Sequence, residues 1–336
     1  MNAEPADRCR KIAIVGLGGT IAMAPSGAGL RPSLSIADIL QTAVIDAAAA
    51  EFVVRELLCV AGANITFDHL QALALCIAEL VRDAACEGAV VIQGTDSLEE
   101  TAFGFELLSD TQIPVVFTGA MRAPSQPGAD GPANLAAAVR VVLASANQPG
   151  VYVVLNDEIH AARFVRKGHT SALDAFTSGD AGLVGRIHEG HVQRRMASLP
   201  DVRFGPLVPR AGAWPRVAIV KAGIGDSGDL LQALVGLGYG GCVVEAMGAG
   251  HVAEAIVPVL DSLARRIPVV LCSRAAAGAV FERTYGFAGS EIDLLGRGLL
   301  SGGALSGLKA RVLLTVCLRA RGATAGVRFG EICRLI

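Results

Sequence analysis

Charge of one sign is concentrated nowhere in this 336-residue chain. Its 29 Lys and Arg residues are balanced by 31 Asp and Glu residues, and the formal net charge is -2 at pH 7. A protein that binds nucleic acid or an anionic membrane through its charge shows a basic patch or run. Because the chain has no polybasic run, we expect neither kind of partner.

Long uncharged apolar runs are also missing, although the mean hydropathy is high at +0.50. The apolar residues are spread along the whole chain, and none of the uncharged stretches reaches the ~18 residues of a transmembrane helix. The N-terminal segment MNAEPADRCRKIAIVG has no apolar region after a basic one. We therefore expect no secretory signal.

Cysteine and histidine motifs are absent as well. The eight cysteines form no C-x-x-C pair and mostly lie in apolar runs, as small buried side chains do. Without an export signal, we expect reduced thiols in a cytoplasmic protein. The six histidines form no HExxH motif, and the lone HxxH of His188 and His191 has no third ligand nearby. We predict a strand–turn–strand segment there and no metal site.

Apolar, β-branched runs alternate with helical patterns in the first half of the chain. Their near-continuous hydrophobicity indicates strands covered on both faces. The predicted strands are 11–16, 52–57, 89–94, 114–119 and 151–156, and the predicted helices are 35–45, 66–86, one from about 96 and one from about 132. In the last helix, Asp130 is the predicted N-cap and Pro132 suits the first turn. The βαβ rhythm predicts an α/β fold with a doubly wound, mostly parallel sheet.

Residues 195–215 interrupt this rhythm with four prolines and no clear periodicity, which is typical of an interdomain linker. A second α/β pattern follows, with predicted strands at 217–222, 241–246 and 268–273 and helices near 228–237, 251–264, 304–319 and 328–335. We predict a larger N-terminal catalytic α/β domain (1–194), the linker (195–215) and a smaller C-terminal α/β domain (216–336).

The loop VGLGGTIAM (15–23) follows the first predicted strand. A dinucleotide-binding G-x-G-x-x-G/A loop would need a small residue where Ile21 stands, and no Lys-Ser/Thr pair makes a P-loop. We therefore expect no nucleotide cofactor. The loop instead offers the hydroxyl of Thr20, with backbone N–H groups that could hold a developing oxyanion.

A second predicted strand end carries another hydroxyl. VVIQGTDSLEETA (90–102) runs from an apolar strand into Gly94, Thr95 and Asp96, at the edge of an open α/β sheet that faces the ligand crevice. Each motif by itself is more typical of a turn or a helix cap, but two of them at strand ends of one sheet indicate a site. A threonine nucleophile needs a base, and Lys167, about ten residues after the fifth strand, is the candidate. These residues predict acyl transfer.

With these motifs the chain resembles the bacterial-type L-asparaginases and related glutaminase-asparaginases. LGGTIAM and QGTDSLEETA are similar to the family's two threonine signatures. Three further blocks follow at similar spacing: TGAMRAPSQPGADGPANLAAAV, VLNDEI with RFVRKGHTSALDAF, and YGFAGSEIDLLGRGLLSGGALSGLKARVLL. The resemblance covers almost the whole chain. It implies an amidohydrolase that converts L-asparagine to L-aspartate and ammonia through an acyl-threonine.

The resemblance also assigns site residues. Thr20 matches the nucleophilic threonine, and Thr95, Asp96 and Lys167 match a hydrogen-bonded threonine, acid and lysine. Asp96 would also pair with the α-ammonium group of the substrate. The implied substrate-binding positions are Gly19, Gly62, Ala63, Gly94, Asp96 and Ala120. Family members work as homodimers or homotetramers without a cofactor, and a neighbouring subunit closes each site; His251 stands where many members have Asn.

Several positions depart from the family pattern. Leu30 stands where a tyrosine usually serves the first threonine, and the three tyrosines of this chain (152, 239 and 285) lie elsewhere. The surrounding 23–33 segment has the Gly, Pro and Ser content of a mobile lid. Where the family often has a serine for the α-carboxylate, Gly62 and Ala63 offer only backbone N–H groups.

Other departures lie next to the predicted chemistry: Leu17, Gln93 and Ser97 replace Thr, His and Thr, and Ala279 stands where some members have Glu. The departures leave two alternatives open: an amidase of the same core for glutamine or a D- or N-substituted amide, and a catalytically weakened homologue that binds aspartate or asparagine. We do not expect the related tRNA-dependent amidotransferase subunit, because only ten residues precede the first strand.

Overall fold

A computed structural model describes residues 9–27, 29–32, 35–43, 45, 50–145, 148–196, 199–205 and 212–336. The chain divides into two compact units, Met1–Leu199 and Pro200–Ile336. The predicted domain limits at 194 and 216 stay a prediction, since parts of the predicted linker (197–198 and 206–211) lie outside the described residues.

The first unit is built on one large sheet with helices around it. Its strands are β1 (Arg10–Gly18), β2 (Met23–Ser26), β3 (Gly29–Pro32), β4 (Ala50–Val60), β5 (Gly88–Ile92), β6 (Pro114–Thr118), β7 (Gly150–Leu155), β8 (Glu158–Ala161), β9 (Arg166–Lys167), β10 (Phe176–Thr177), β11 (Gly185–His188) and β12 (His191–Arg194). Its helices are α1 (Ile36–Thr42), α2 (Phe67–Ala84), α3 (Leu98–Leu108) and α4 (Gly131–Ala144). The order in the eight-stranded sheet is β12-β11-β8-β7-β6-β5-β1-β4.

Five neighbouring strands of this sheet, β4, β1, β5, β6 and β7, run parallel. Strands β8, β11 and β12 extend the sheet in antiparallel pairs. Every residue of β5 and β6 is buried, because α2 and α3 pack together on the sheet and so do α1 and α4. Strands covered on both faces can carry apolar side chains in both directions. The predicted doubly wound, mostly parallel sheet is confirmed.

The strand order contains a topological switch point. From β1 the chain goes through α1 to β4 on one side, and later through α2 to β5 on the other side. At such a reversal, the connections leave the sheet in opposite directions and open a crevice at the carboxyl ends of the two central strands. The ends of β1 and β5 carry the segments with Thr20 and Thr95.

Short hairpins lie outside the predicted rhythm. The 23–33 segment, predicted as a loop, contains the antiparallel pair β2–β3; residues 28 and 33 lie outside the described residues. Strands β9 and β10 form another hairpin, which presents Lys167. The HxxH segment forms the predicted strand–turn–strand between β11 and β12, where Glu189 and Gly190 have φ of 49° and 78°.

The second unit has a parallel four-stranded sheet of its own. Its strands are β13 (Val217–Lys221), β14 (Gly241–Ala246), β15 (Val269–Ser273) and β16 (Leu300–Ser301), and its helices are α5 (Asp229–Ala233), α6 (Val257–Ala264), α7 (Glu291–Gly296), α8 (Gly307–Arg321) and α9 (Ala325–Cys333). Fully buried residues of β14, β15 and α6 form its core. The smaller C-terminal sheet is the second part of the predicted fold class, and it is confirmed.

The eight thiols are all free. Five are buried, and burial raises the pKa of Cys242 to about 12; Cys9 and Cys59 are exposed. Within the described residues, none of the helices combines the length and the apolar character needed to cross a membrane.

Candidate active site

The two threonine segments meet through a glycine–glycine contact at the switch point. Gly19 has φ 94° and ψ −173°, a backbone region that is open essentially only to glycine. A Cβ atom added at Gly19 would lie 2.0 Å from the backbone nitrogen of Gly94. The loop after β1 therefore lies directly against the residue that precedes Thr95, and only glycine at position 19 permits this approach.

Thr20 opens a short 3-10 turn, Thr20–Ala22, at the end of β1. Ile21 and Ala22 are buried and fix the turn, while Thr20 is only half-buried. Its side chain is thus carried by a well-packed turn at the mouth of the crevice. Leu30, the departure from the usual tyrosine, lies on β3, but its side chain is outside the described part of the structure.

Thr95 and Lys167 form a direct hydrogen bond. The Nζ of Lys167 donates to the Oγ1 of Thr95 at 2.8 Å, and Thr95 is only 4 % exposed. The backbone of Lys167 is held as well, because its N–H donates to the carboxylate of buried Glu99 at 3.3 Å. Both ends of the lysine are therefore fixed relative to the start of α3.

Asp96 supplies the negative charge of the site. Its Oδ1 lies 3.6 Å from the Nζ of Lys167, and its side chain is 64 % exposed. It also precedes the N-terminus of α3, where the helix dipole favours a carboxylate. The carboxylate is thus fixed on one side and open on the other, where a ligand cation can pair with it.

Gly62 and Ala63 border the same point. Gly62 is buried and begins the 3-10 turn Gly62–Asn64 after β4, while Ala63 is exposed. A Cβ atom at Gly62 would lie 3.1 Å from the carbonyl oxygen of Gly94 and 3.4 Å from the Cβ of Asp96. The turn packs against the Gly94–Asp96 segment and leaves backbone donors beside it.

The loop after β6 closes another side. Ala120 is fully buried, and a Cβ atom at Gly119 would lie 2.4 Å from the carbonyl oxygen of Gln93 and 3.4 Å from the Cγ2 of Thr95. Asp130 stands at the N-cap position of α4 but makes no side-chain cap. Its carboxylate instead accepts from the backbone N–H groups of Met121 and Arg122 at 2.9–3.1 Å.

Asp130 is thus the N-cap residue of α4, as predicted, but its side chain does not form the cap. The carboxylate oxygens accept instead from the two backbone N–H groups of the loop and from the side-chain Nδ2 of Asn134 in α4, which lies 2.9 Å from Oδ2. Pro132 does lie in the first turn of α4, as predicted.

His251 belongs to the second unit. Its Nε2 lies 3.1 Å from the Oε2 of fully buried Glu291, and its ring contacts Tyr285 and Phe287 edge-on. The expected role of His251 in the site of a neighbouring subunit stays a prediction.

Reasoning from the sequence missed the roles of three residues. Glu99 holds the backbone of Lys167, Gln93 donates to Ser97, and Asp130 anchors the loop after β6. Each acts through a contact with residues that are distant in the chain or across a turn. The only local signal was the acidic pair after Asp96, which is typical of an ordinary first helical turn.

Together these residues can carry out nucleophilic chemistry on a cationic ligand. The site offers two hydroxyls, an ammonium bonded to one of them, and an accessible carboxylate. A threonine becomes a nucleophile when a neighbouring group takes its proton, and exposed backbone donors can bind a carboxylate or a developing oxyanion.

Comparison with known proteins gives two family matches in order along the chain. Residues 11–199 match the family model "Asparaginase, N-terminal". Residues 216–328 match the model "Glutaminase/Asparaginase C-terminal domain". The two matches together span most of the sequence.

Individual relatives agree. The chain is 33 % identical to an L-asparaginase of Bacillus licheniformis, over 92 % of this chain and 95 % of that one. It is 30 % identical to a glutamyl-tRNA(Gln) amidotransferase component of Methanosarcina acetivorans, over 90 % of this chain and 72 % of that one. The crystal structure of a probable cytoplasmic L-asparaginase from Campylobacter jejuni superposes with a TM-score of 0.83 at 31 % identity, covering 97 % of this chain and all of that one.

Proposed function

The chain belongs to the asparaginase family of amidohydrolases, and we propose that it hydrolyses the side-chain amide of L-asparagine to L-aspartate and ammonia. The observation that carries the proposal is the 2.8 Å hydrogen bond between Lys167 and Thr95. It lies beside the close contact that brings the Thr20 loop against Gly94.

In the proposed reaction, the Oγ1 of Thr20 attacks the amide carbon and loses its proton. The C–N bond breaks, the departing nitrogen takes a proton, and ammonia leaves an aspartyl ester on Thr20. Water then attacks the ester carbon, releases L-aspartate and returns a proton to the threonine oxygen. Asp96 pairs with the α-ammonium group throughout, and backbone at Gly94 and Ala120 lines the pocket.

Thr95 and Lys167 serve as the proton-transfer pair. The hydroxyl of Thr95 accepts a hydrogen bond from an ammonium that is itself near Asp96. The ammonium can therefore pass a proton to Thr95 as the hydroxyl gives its own proton to the departing nitrogen, and the resulting amine can take a proton back through Thr95 when water attacks. With leucine at position 30, this pair is the proton-transfer group that the described side chains offer to the substrate or to the incoming water.

The direct test is ammonia release from L-asparagine by the wild type, Thr20→Ala and Thr95→Ala. We expect activity in the wild type and loss of at least about 10²-fold in each variant. Full activity in both variants would overturn the threonine mechanism. If calorimetry shows that the wild type binds L-aspartate but no ammonia is released from L-asparagine, the protein binds the amino acid without hydrolysing its amide.

A second candidate is hydrolysis of another amide by the same core. It is favoured by the turn at Gly62 and Ala63, which offers backbone donors but no hydroxyl for the α-carboxylate. A panel of L-asparagine, D-asparagine, L-glutamine and an N-substituted asparagine, each assayed for product release, separates the candidates. The similarity to an amidotransferase component of Methanosarcina acetivorans is a further reason to include L-glutamine.

We also propose that the protein is a cytoplasmic homodimer or homotetramer in which His251 approaches the site of a neighbour. The cytoplasmic assignment is supported by the probable cytoplasmic L-asparaginase of Campylobacter jejuni. Light scattering gives the assembly, and His251→Ala should raise KM for L-asparagine without changing that assembly. A fully active monomer would contradict the proposal.

A further inference from the structure

We propose that Gln93 is a positioning residue that aims a backbone N–H at the α-carboxylate of the substrate. It acts through the hydroxyl of Ser97 and the carbonyl of Gly62, and the N–H belongs to Ala63. The inference rests on the proposed function, because it takes an amino-acid amide as the ligand.

The direction of each hydrogen bond in this group is fixed by chemistry. Ser97 Oγ lies 2.6 Å from the carbonyl oxygen of Gly62, which can only accept. Thr101 Oγ1 lies 2.9 Å from the carbonyl oxygen of Ser97, which also can only accept. Each hydroxyl has a single proton and has used it, so both hydroxyls can only accept from a third group.

Gln93 is that third group. Its Nε2 lies 3.1 Å from Ser97 Oγ and 2.9 Å from Thr101 Oγ1, and its two N–H bonds match these two acceptors. The side-chain amide therefore has one possible orientation, with nitrogen toward the hydroxyls. A fully buried amide thus prevents Ser97 from turning its proton away from Gly62.

Two features show that this arrangement has a cost. Ser97 occupies the N-cap position of α3, yet its side chain makes no cap, although serine is among the best capping residues. The Oε1 of Gln93 is buried and has no hydrogen-bond partner within the described residues, which destabilises a fold. Stability alone would favour a capping serine and an apolar residue at position 93.

The benefit lies at the peptide bond between Gly62 and Ala63. This bond is trans, so the carbonyl of Gly62 and the N–H of Ala63 point in opposite directions in one plane. Holding the carbonyl toward Ser97 therefore aims the N–H away from Ser97. Ala63 is exposed, and a residue near the start of a helical turn has a backbone N–H without a partner inside the turn.

That N–H lies on the turn that packs against Gly94 and Asp96. Asp96 takes the α-ammonium group in the proposed function, so the α-carboxylate of the same substrate lies within reach of this turn. Gly62 and Ala63 offer only backbone N–H groups to a carboxylate. The relay, meaning the hydrogen bonds from Gln93 to Ser97 and from Ser97 to Gly62, keeps this backbone in a fixed orientation.

The test uses Gln93→Met, which keeps the volume and removes both donors, Ser97→Ala, and the double variant. Ser109→Ala is the matched control, since Ser109 is a buried serine at the other end of α3 and bonds to Thr111. Each full-length protein is assayed with L-asparagine and with 3-aminopropanamide, the same amide without the α-carboxylate.

We expect KM for L-asparagine to rise about tenfold in each single variant, with kcat within about threefold of the wild type. The rise in KM in the double variant should be no larger than in either single variant, because both changes break the same relay. The rate with 3-aminopropanamide should stay within about twofold. Equal losses on both substrates, or the same KM change in Ser109→Ala, would overturn the positioning role.

Hydrogen–deuterium exchange of the free protein decides the positioning step without any turnover. The N–H of Ile65 donates to the carbonyl oxygen of Gly62 at 3.3 Å, so the peptide spanning 61–66 should exchange faster in Gln93→Met and Ser97→Ala than in Ser109→Ala. If the 61–66 peptide of Gln93→Met and Ser97→Ala exchanges at the same rate as in Ser109→Ala, the positioning role is contradicted. A wild type that releases no ammonia from L-asparagine overturns the proposed function alone, and the exchange result still stands.

Discussion

Lys167 has contacts that a solvated surface lysine lacks. Its ammonium donates to the buried hydroxyl of Thr95 and faces the carboxylate of Asp96, and its backbone N–H is held by Glu99. A flexible side chain loses rotamer freedom when it is held in this way. Position 167 is therefore built for a defined ammonium location rather than for solubility.

At this scale we predict that Thr95→Val and Lys167→Met each lower kcat for ammonia release by about 10²- to 10⁴-fold, the usual contribution of a positioned proton-transfer group. The kcat of the double variant should be no lower than that of the less active single variant, because the two groups act as a unit. Steady-state ammonia release is the measurement.

The control is Lys11→Met, which removes a partly exposed lysine that pairs with Glu51 on the surface. Its kcat should match the wild type, since exposed ion pairs contribute little. Multiplicative losses in the double variant would show that Thr95 and Lys167 act independently and would contradict the pair.

At the scale of elements, the geometry of the site depends on how β1 ends. Strand β1 pairs with β4 on one side and β5 on the other, and its register with β4 shifts between Gly16 and Gly18. Gly18 and Gly19 then both have positive φ. The strand thus turns sharply enough to bring the Thr20 turn against the end of β5.

Gly19→Ala should therefore destabilise the first unit by at least about 3 kcal/mol, the sum of a disallowed backbone region and an overpacked contact with Gly94. Urea unfolding followed by circular dichroism measures the change. The matched control is Gly179→Ala: Gly179 also has positive φ (49°), but a Cβ there meets no atom within 4 Å.

In the control, the free energy of unfolding should fall by only about 1 kcal/mol, the cost of a left-handed backbone conformation without a steric clash. Equal losses in the two variants would mean that the approach of Gly19 to Gly94 is not a tight contact.

At the scale of the whole molecule, each unit has its own sheet and its own core. The second unit also contains a buried carboxylate, Glu291, which accepts from the N–H groups of Thr284 and Tyr285 and lies 3.1 Å from His251. Burial raises the pKa of Glu291, but these hydrogen bonds outweigh it and hold the pKa below its ordinary value of 4.5.

Because the pKa of Glu291 is lowered in the folded state, the stability of the second unit depends on pH in the acidic range. A carboxyl whose pKa is lowered in the folded state stabilises the protein fully above its unfolded pKa, and the contribution is lost as the pH falls through the lowered folded value. We expect Glu291→Gln to lose about 2 kcal/mol at pH 7, the scale of hydrogen bonds to a charged group. The deficit should shrink below about pH 4.5.

Urea unfolding at a series of pH values from 7 to 3 checks this, with Glu254→Gln, at an exposed glutamate of the same unit, as the control. A deficit that stays constant down to pH 3 would show that the charge of Glu291 contributes nothing and that only packing was lost.

Much of the fold follows from local patterns. The runs at 89–94 and 114–119 correspond to β5 and β6, and the long helical pattern at 66–86 corresponds to α2. The short hairpins β2–β3 and β9–β10 had no such pattern, because strands of two to four residues are too short for hydrophobic periodicity to show.

The α/β class, the two glycine–threonine segments after apolar strands, and the family to which the chain belongs all follow from the sequence alone. These are properties of short stretches and their order. Which groups meet is set by the folded chain, since Lys167 and Thr95 are 72 positions apart and Ser97 and Gly62 are 35 apart. Such contacts depend on strand order, register and hairpin geometry together, and no local pattern of residues contains that information.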